Sequence, residues 1–126
     1  MIEIQEFIQA VLRQDRERLR AFFQEDAVIN WHCTNERFTV EEYLRANCEY
    51  PGTWDGEIES IDMLGNVAYV VTRVFPPHQS ASCHCVSRIC CEGDKIYSLD
   101  EYWADDGPPP SWRQEMEIGV PIRREE

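Results

Sequence analysis

The chain has 126 residues and a mass of 14.8 kDa, with 12 Lys and Arg against 24 Asp and Glu for a formal net charge of −12, and it is 43% hydrophobic and 11% aromatic. One domain is expected at this length, because a chain of this size hides about two-thirds of its unfolded surface on folding. The acidity argues against nucleic acid and anionic membranes as partners, and the longest apolar run, Val67 to Val71, is far short of the ~20 residues of a membrane span.

The segment Met1 to Glu6 carries acids where an export signal needs a basic start, which predicts a cytoplasmic protein. Ile4, Phe7, Ile8, Val11 and Leu12 recur at three- and four-residue spacing and predict a first helix. Asp15 is placed to cap a short second helix that buries Leu19, Phe22 and Phe23. Ala27 to Cys33, rich in β-branched and aromatic residues, reads as a strand that ends at the turn pair Thr34-Asn35. Thr39-Val40-Glu41-Glu42 has the form of a capping box, so a third helix runs from there to about Cys48 and stops at Tyr50-Pro51-Gly52. Four strand-like runs follow, 54–63, 67–75, 82–91 and 95–103, separated by Gly65-Asn66, Pro76-Pro77 and Glu92-Gly93-Asp94. Consecutive hairpins predict an antiparallel sheet with the helices segregated from it, an α+β domain. From Asp105 the chain turns Pro-rich and acidic, with 8 acids and 3 bases over residues 100–126, while Trp112, Ile118 and Ile122 predict that the tail docks on something.

This element order, with Phe22 to Ile29 at the junction of helix and strand and Asp94 to Trp103 entering the last strand through a turn, resembles the nuclear transport factor 2-like superfamily in its SnoaL-like branch. The resemblance covers about residues 3–104, and Glu101 to Gly107 followed by Trp112-Arg113 is similar to a bacterial subgroup of it. It implies a cone-shaped barrel of curved, mostly antiparallel sheet wrapped around the three helices of the N-terminal half, with a pocket between concave face and helices. It also implies a homodimer through the outer face of the sheet. The domain is then 1–104, and 105–126 is an extension packed on the domain or on the dimer mate. It implies no single reaction, since the scaffold hosts isomerases, cyclases, epoxide hydrolases and binders.

On the last strand, Tyr97, Leu99 and Glu101 alternate with Ser98, Asp100 and Tyr102. The resemblance puts Glu101 where limonene epoxide hydrolase-like members carry a catalytic aspartate. If Tyr69 and Arg73 point inward from their own strand, they join Glu101 as a catalytic trio; the competing reading is a buried charge pair, or Arg73 in solvent. Trp31 stands near the general base of ketosteroid isomerase-like members, and an indole cannot take a proton, so it reads as a pocket wall or as core. In those members the oxyanion-hole acid falls near Val86 or Ser87 here. Tyr43 and Asn47, four apart on the third helix, with Tyr50, Trp54 and Tyr97, complete the expected ligand pocket; the alternative puts Tyr43 and Asn47 in solvent.

No metal site is expected, because Cys83, His84 and Cys85 on a strand aim alternate ligands at opposite faces and Cys90-Cys91 lies roughly 15–25 Å further along. The six cysteines are expected to be free thiols. His32 and Cys33, adjacent on a strand, diverge and make no nucleophile–base pair. No phosphate loop, dinucleotide fingerprint or nucleophile elbow is present, so no nucleotide cofactor is expected. The expected partner is a small, largely apolar cyclic or carbonyl molecule, either isomerised, cyclised or hydrated with Glu101 as acid–base group, or bound without chemistry. A third reading makes the chain a dimeric interaction module with an acidic tail.

Overall fold

The apolar stripe of the first segment folds as α1 (Ile4–Arg13), which buries Ile4, Phe7, Ile8 and Ala10. Its last turn closes on Gln14 in the left-handed conformation, and Asp15 then accepts from the Arg18 amide to start α2 (Arg16–Arg20). The chain is a computed structural model that describes residues 1–78 and 80–123. After α2 come β1 (Phe23–Trp31), a single 3-10 turn at His32–Thr34, β2 (Glu36–Phe38), α3 (Val40–Cys48), β3 (Asp55–Leu64), β4 (Val67–Phe75), β5 (Cys83–Glu92), β6 (Lys95–Asp105) and α4 (Ser111–Gln114). The capping box of α3 forms in full, with Thr39 and Glu42 each satisfying the other's amide.

The six strands form one sheet in the order β2-β1-β6-β5-β4-β3, antiparallel except for the parallel pair β1 and β6. It is an α+β fold in which the curved sheet wraps the helices as a cone, but the sheet does not close; β2 and β3 are its edges. Irregular pairing at Glu59 on β3, at Tyr97 on β6 and near the start of β1 supplies the bends, since an extra residue in one strand sharpens the local twist.

Cross-strand register arranges the concave face in rows. Ala68, Ile89, Leu99 and Ile29 form a fully apolar row, each wholly buried. The next row is Val70, Ser87, Glu101 and Trp31, and beyond it come Thr72, Cys85 and Trp103. The apolar row packs with Phe7, Leu19, Phe23, Tyr43 and Leu44 of the helical layer and strand β1. Phe7 meets both Phe22 and Phe23 edge to face, at 5.4 and 5.9 Å between centroids. At Gly56 a Cβ would lie 2.8 Å from the Arg73 carbonyl oxygen and 3.1 Å from Leu12 Cδ1, so glycine there lets the end of α1 settle onto β3.

β6 runs to Asp105, one residue past the expected domain boundary. In the extension, Trp112, Met116, Ile118, Val120 and Ile122 are exposed. The extension is held at its two ends: Asp106 accepts from Ser82 and pairs with His84, and Arg123 reaches Glu59. Among the described residues no helix is long and apolar enough to cross a membrane, and all six cysteines are free thiols.

Candidate functional site

The second and third rows of the sheet carry polar groups into a space the helices do not fill. Glu101 is 3% exposed and is held on both oxygens. Ser87 donates to Oε2 at 2.7 Å, Cys85 to the same oxygen at 3.6 Å, and Trp31 Nε1 donates to Oε1 at 3.2 Å. Each donor sits beside Glu101 because of register: Ser87 and Trp31 are its direct cross-strand partners, and Cys85 lies one row over. Burial pushes the Glu101 carboxyl above its ordinary range, against the pull of the bonds from Ser87, Cys85 and Trp31 and of the nearby Trp103 indole, which favour the charged form.

Three buried polar atoms near this carboxyl have no hydrogen-bond partner: Tyr43 Oη, Thr72 Oγ1 and Trp103 Nε1. Buried polar groups are nearly always paired, so three orphans beside one buried acid mark a place where a guest atom is wanted. Trp103 Nε1 is a donor only, so a guest atom that meets it is an acceptor. Thr72, Ser87, Glu101 and Trp103 line an inner cleft of about 10 Å³, close to the size of one water-sized occupant. Burial raises the Tyr43 phenol well above its ordinary value, and the nearby Glu101 adds to the shift, so Tyr43 stays a neutral donor.

The cleft lies beneath a larger cavity of about 330 Å³, at the small end of the range for ligand sites. The two share Val11, Leu12, Val74 and Trp103, and Trp31, Asn47, Tyr50, Trp54, Cys83 and Asp105 are among the cavity's other lining residues. Short polar ties frame the mouth. Gln14 Nε2 donates to the carbonyls of Asn47 and Tyr50 at 2.9 and 2.7 Å, and Asn47 Nδ2 donates back to that of Val11 at 3.1 Å. Burial raises the Cys83 thiol, with Asp105 and Asp106 adding to the effect.

The structure thus places Trp31, Asn47, Tyr50 and Trp54 around the larger cavity and Glu101 in the cleft that adjoins it, with Tyr43 buried beside Glu101. Three expected members lie elsewhere. Tyr69 and Arg73 alternate with the buried Ala68, Val70, Thr72 and Val74, so both point away from the helices. Tyr69 accepts from Arg88 at 3.2 Å, and Arg73 pairs with Glu57 at 3.7 Å and lies over the Phe75 ring. Neither can act with Glu101. Tyr97 fails for a different reason: Cys90 pairs with Ser98 and Cys91 with Ile96, so Tyr97 is the unpaired residue of a bulge and turns outward, while Leu99 and Glu101 stay inside. The residues that do surround the acid, Thr72, Cys85, Ser87 and Trp103, carried a signal in the sequence. Trp103 is two residues after Glu101, and Thr72 shares its alternation with the β-branched Val70 and Val74.

Residues 3–81 match the family described as "Putative lumazine-binding". No curated protein matches the sequence. Among solved structures, a "putative ketosteroid isomerase" from Kribbella flavida DSM 17836 is similar at 22% identity and a TM-score of 0.78, over 94% of this chain and 87% of that one. A "putative SnoaL-like polyketide cyclase" from Shewanella putrefaciens CN-32 is similar at 13% identity and a TM-score of 0.66, over 79% and 85%. A "hypothetical protein with ketosteroid isomerase-like protein fold" from Catenulispora acidiphila DSM 44928, in complex with trimethylamine, is similar at 13% identity and a TM-score of 0.67, over 79% and 82%. These likenesses establish the fold as that of nuclear transport factor 2-like proteins, SnoaL-like cyclases included. The chain itself belongs to the family described as "Putative lumazine-binding".

Proposed function

We propose that this chain binds a small, mostly apolar molecule in the cavity under α1 and α3, and that Glu101 donates a hydrogen bond to an oxygen of that molecule. The observation that carries this reading is the buried acid of β6, with unpartnered polar atoms near it, in a cleft that adjoins a 330 Å³ cavity. A ligand carbonyl, ether or epoxide oxygen entering the cleft would accept from Trp103 Nε1 and from the Glu101 carboxyl. Of the two carboxyl oxygens, Oε1 already accepts from an indole that can only donate, so the proton belongs on Oε2, whose lone pair still accepts from Ser87 while the O–H is left for the ligand oxygen. A neutral carboxylic acid in a dry pocket polarises an oxygen, and protonates it when bond breaking demands a proton. Acid-assisted isomerisation, cyclisation or hydration is the chemistry this arrangement serves best. That one structural neighbour is complexed with trimethylamine supports small-molecule binding on this scaffold.

The test is a panel of cyclic ketones read by quenching of tryptophan fluorescence and by thermal shift. A ligand at ~100 times its dissociation constant stabilises by about 2.7 kcal/mol. Glu101→Leu is expected to abolish ketone binding. Glu101→Gln, which still donates but has no acidic proton, is expected to bind and not to turn over. Binding indifferent to Glu101→Leu would refute the reading, and turnover retained in Glu101→Gln would refute Glu101 as the acid. We propose further that two copies pair through the outer face of the sheet, where Tyr69, Val86, Tyr97 and Tyr102 are exposed; sedimentation at micromolar concentration tests it.

A further inference from the structure

The larger cavity carries information about the ligand that the inner acid does not. Four aromatic side chains line it: Trp31, Tyr50, Trp54 and Trp103. They come as two pairs, Trp31 with Trp103 at 6.4 Å between centroids and Tyr50 with Trp54 at 5.4 Å, and in each pair the ring planes meet at 65°. Parallel rings would make a slot for a flat heterocycle. Steeply inclined rings make corners, which suit a compact, rounded group that can meet several ring faces at once.

Charge points the same way. Asp105 stands at the mouth, directly across from Cys83. Among the described residues no Lys, Arg or His lines the cavity. The arginines of α2 and α3 are held by acids on the helical surface, Arg16 and Arg20 by Glu41, Arg18 by Glu6 and Arg45 by Glu49. Arg13, the cation tied to a wall residue, bonds the Trp54 backbone carbonyl at 3.2 Å. An anionic ligand would find no partner inside and a chain of net charge −12 outside. A cation would meet the negative faces of the indoles and one carboxylate.

We propose that the cavity selects a free small molecule bearing a tertiary or quaternary ammonium group, held among Trp31, Tyr50, Trp54 and Trp103 with Asp105 as its counter-charge. This rests on the reading of the cavity as a ligand site and adds the chemical class of its occupant. The oxygen that meets Glu101 and the ammonium are then two ends of one ligand, the first at the cleft and the second toward the mouth.

The test compares choline with 3,3-dimethylbutan-1-ol, a neutral molecule of the same shape, by isothermal titration calorimetry on the full chain. Choline is expected to bind about tenfold or more tighter. Asp105→Asn, at an exposed position, is expected to remove most of that gap, and Trp54→Leu to weaken choline more than the alcohol. Equal affinities, a gap that survives Asp105→Asn, or no choline binding would each overturn the proposal. So would lumazine binding with choline excluded. Phosphatidylcholine vesicles present the same headgroup, and capture by vesicles without binding of free choline would overturn the free ligand. Ketone binding that depends on Glu101 while choline fails sinks only the ammonium; loss of both sinks the cavity as a ligand site.

Discussion

Two carboxylates, Asp100 and Glu101, sit side by side on β6 and face opposite sides of the sheet. Glu101 is enclosed by the helices, and burial raises its carboxyl despite the donors on both oxygens. Asp100 lies on the outer face, where burial also works to raise it, but bonds from the Asn30 amide and His32, with Arg88 beyond, bring it below its ordinary value. His32 stacks on Tyr102 at 4.5 Å and is held in place for that bond. One peptide step separates an acid prepared to keep its proton from an acid prepared to lose it. A formal charge of −12 counts the two alike; the sheet buries one beside the cleft and leaves the other in a network on its outer face.

The two faces can be pulled apart by mutation. The largest expected effect is Leu99→Ala, which removes a wholly buried side chain from the centre of the apolar row. It should cost about 3 kcal/mol in urea denaturation. Val86→Ala, on the outer face at 39% exposure, should cost less than ~1 kcal/mol; equal losses would mean that the outer face is covered too, as in a dimer. Next comes Ser87→Ala. It removes the strongest of the bonds that favour the charged form of Glu101, and it should cost roughly 1–2 kcal/mol. The loss should shrink in acid, where Glu101 is protonated and needs the donor less.

Glu101→Gln sharpens the contrast through pH. A carboxyl raised in the folded state contributes stability that is present below the unfolded value of about 4.3 and is lost as pH rises through the folded value. The wild-type chain should therefore lose stability relative to Glu101→Gln as pH climbs from about 4 upward. A flat difference between the two melting curves from pH 4 to pH 8 would show that the acid is not held above its ordinary range.

Period and turn chemistry carried much of the architecture into view before any coordinates. The stripe of α1, the Asp15 cap, the capping box of α3 and the four C-terminal strands all follow from residue type and spacing. The short β2 was not visible, because Glu36-Arg37-Phe38 pairs with β1 through its backbone and has too few residues to show alternation. Site residues were harder, since a strand pattern fixes which residues share a face and leaves open which face turns inward. Glu101 came with an anchor from the family resemblance. Tyr69 and Arg73 had none, although Ala68, Val70 and Val74 make the other set the more apolar and argued for their being outside. Tyr97 shows a deeper limit, because a single bulged residue reverses parity and nothing in Ile96-Tyr97-Ser98 announces it.

The smallest effect belongs to Asp100, and its sign completes the contrast. Its folded value lies below the unfolded one of about 3.9, so its contribution is present above that pH and is lost as pH falls through the folded value. Asp100→Asn should therefore cost stability at pH 7, by less than ~1 kcal/mol for a partly solvated network, and should cost less and less as the pH falls below about 3.9. Since His32 and Arg88 are about two-fifths exposed, 1 M salt should erase much of the difference. The Glu101→Gln difference should be little moved by the same salt, because a carboxyl buried between Ser87 and Trp31 is weakly screened. Thermal melts of both variants over pH and salt thus give opposite pH slopes and unequal salt responses. If the two acids titrated with the same slope, the partition between an inner acid and an outer counter-ion would not hold, and the proton assigned to Glu101 would have no structural source.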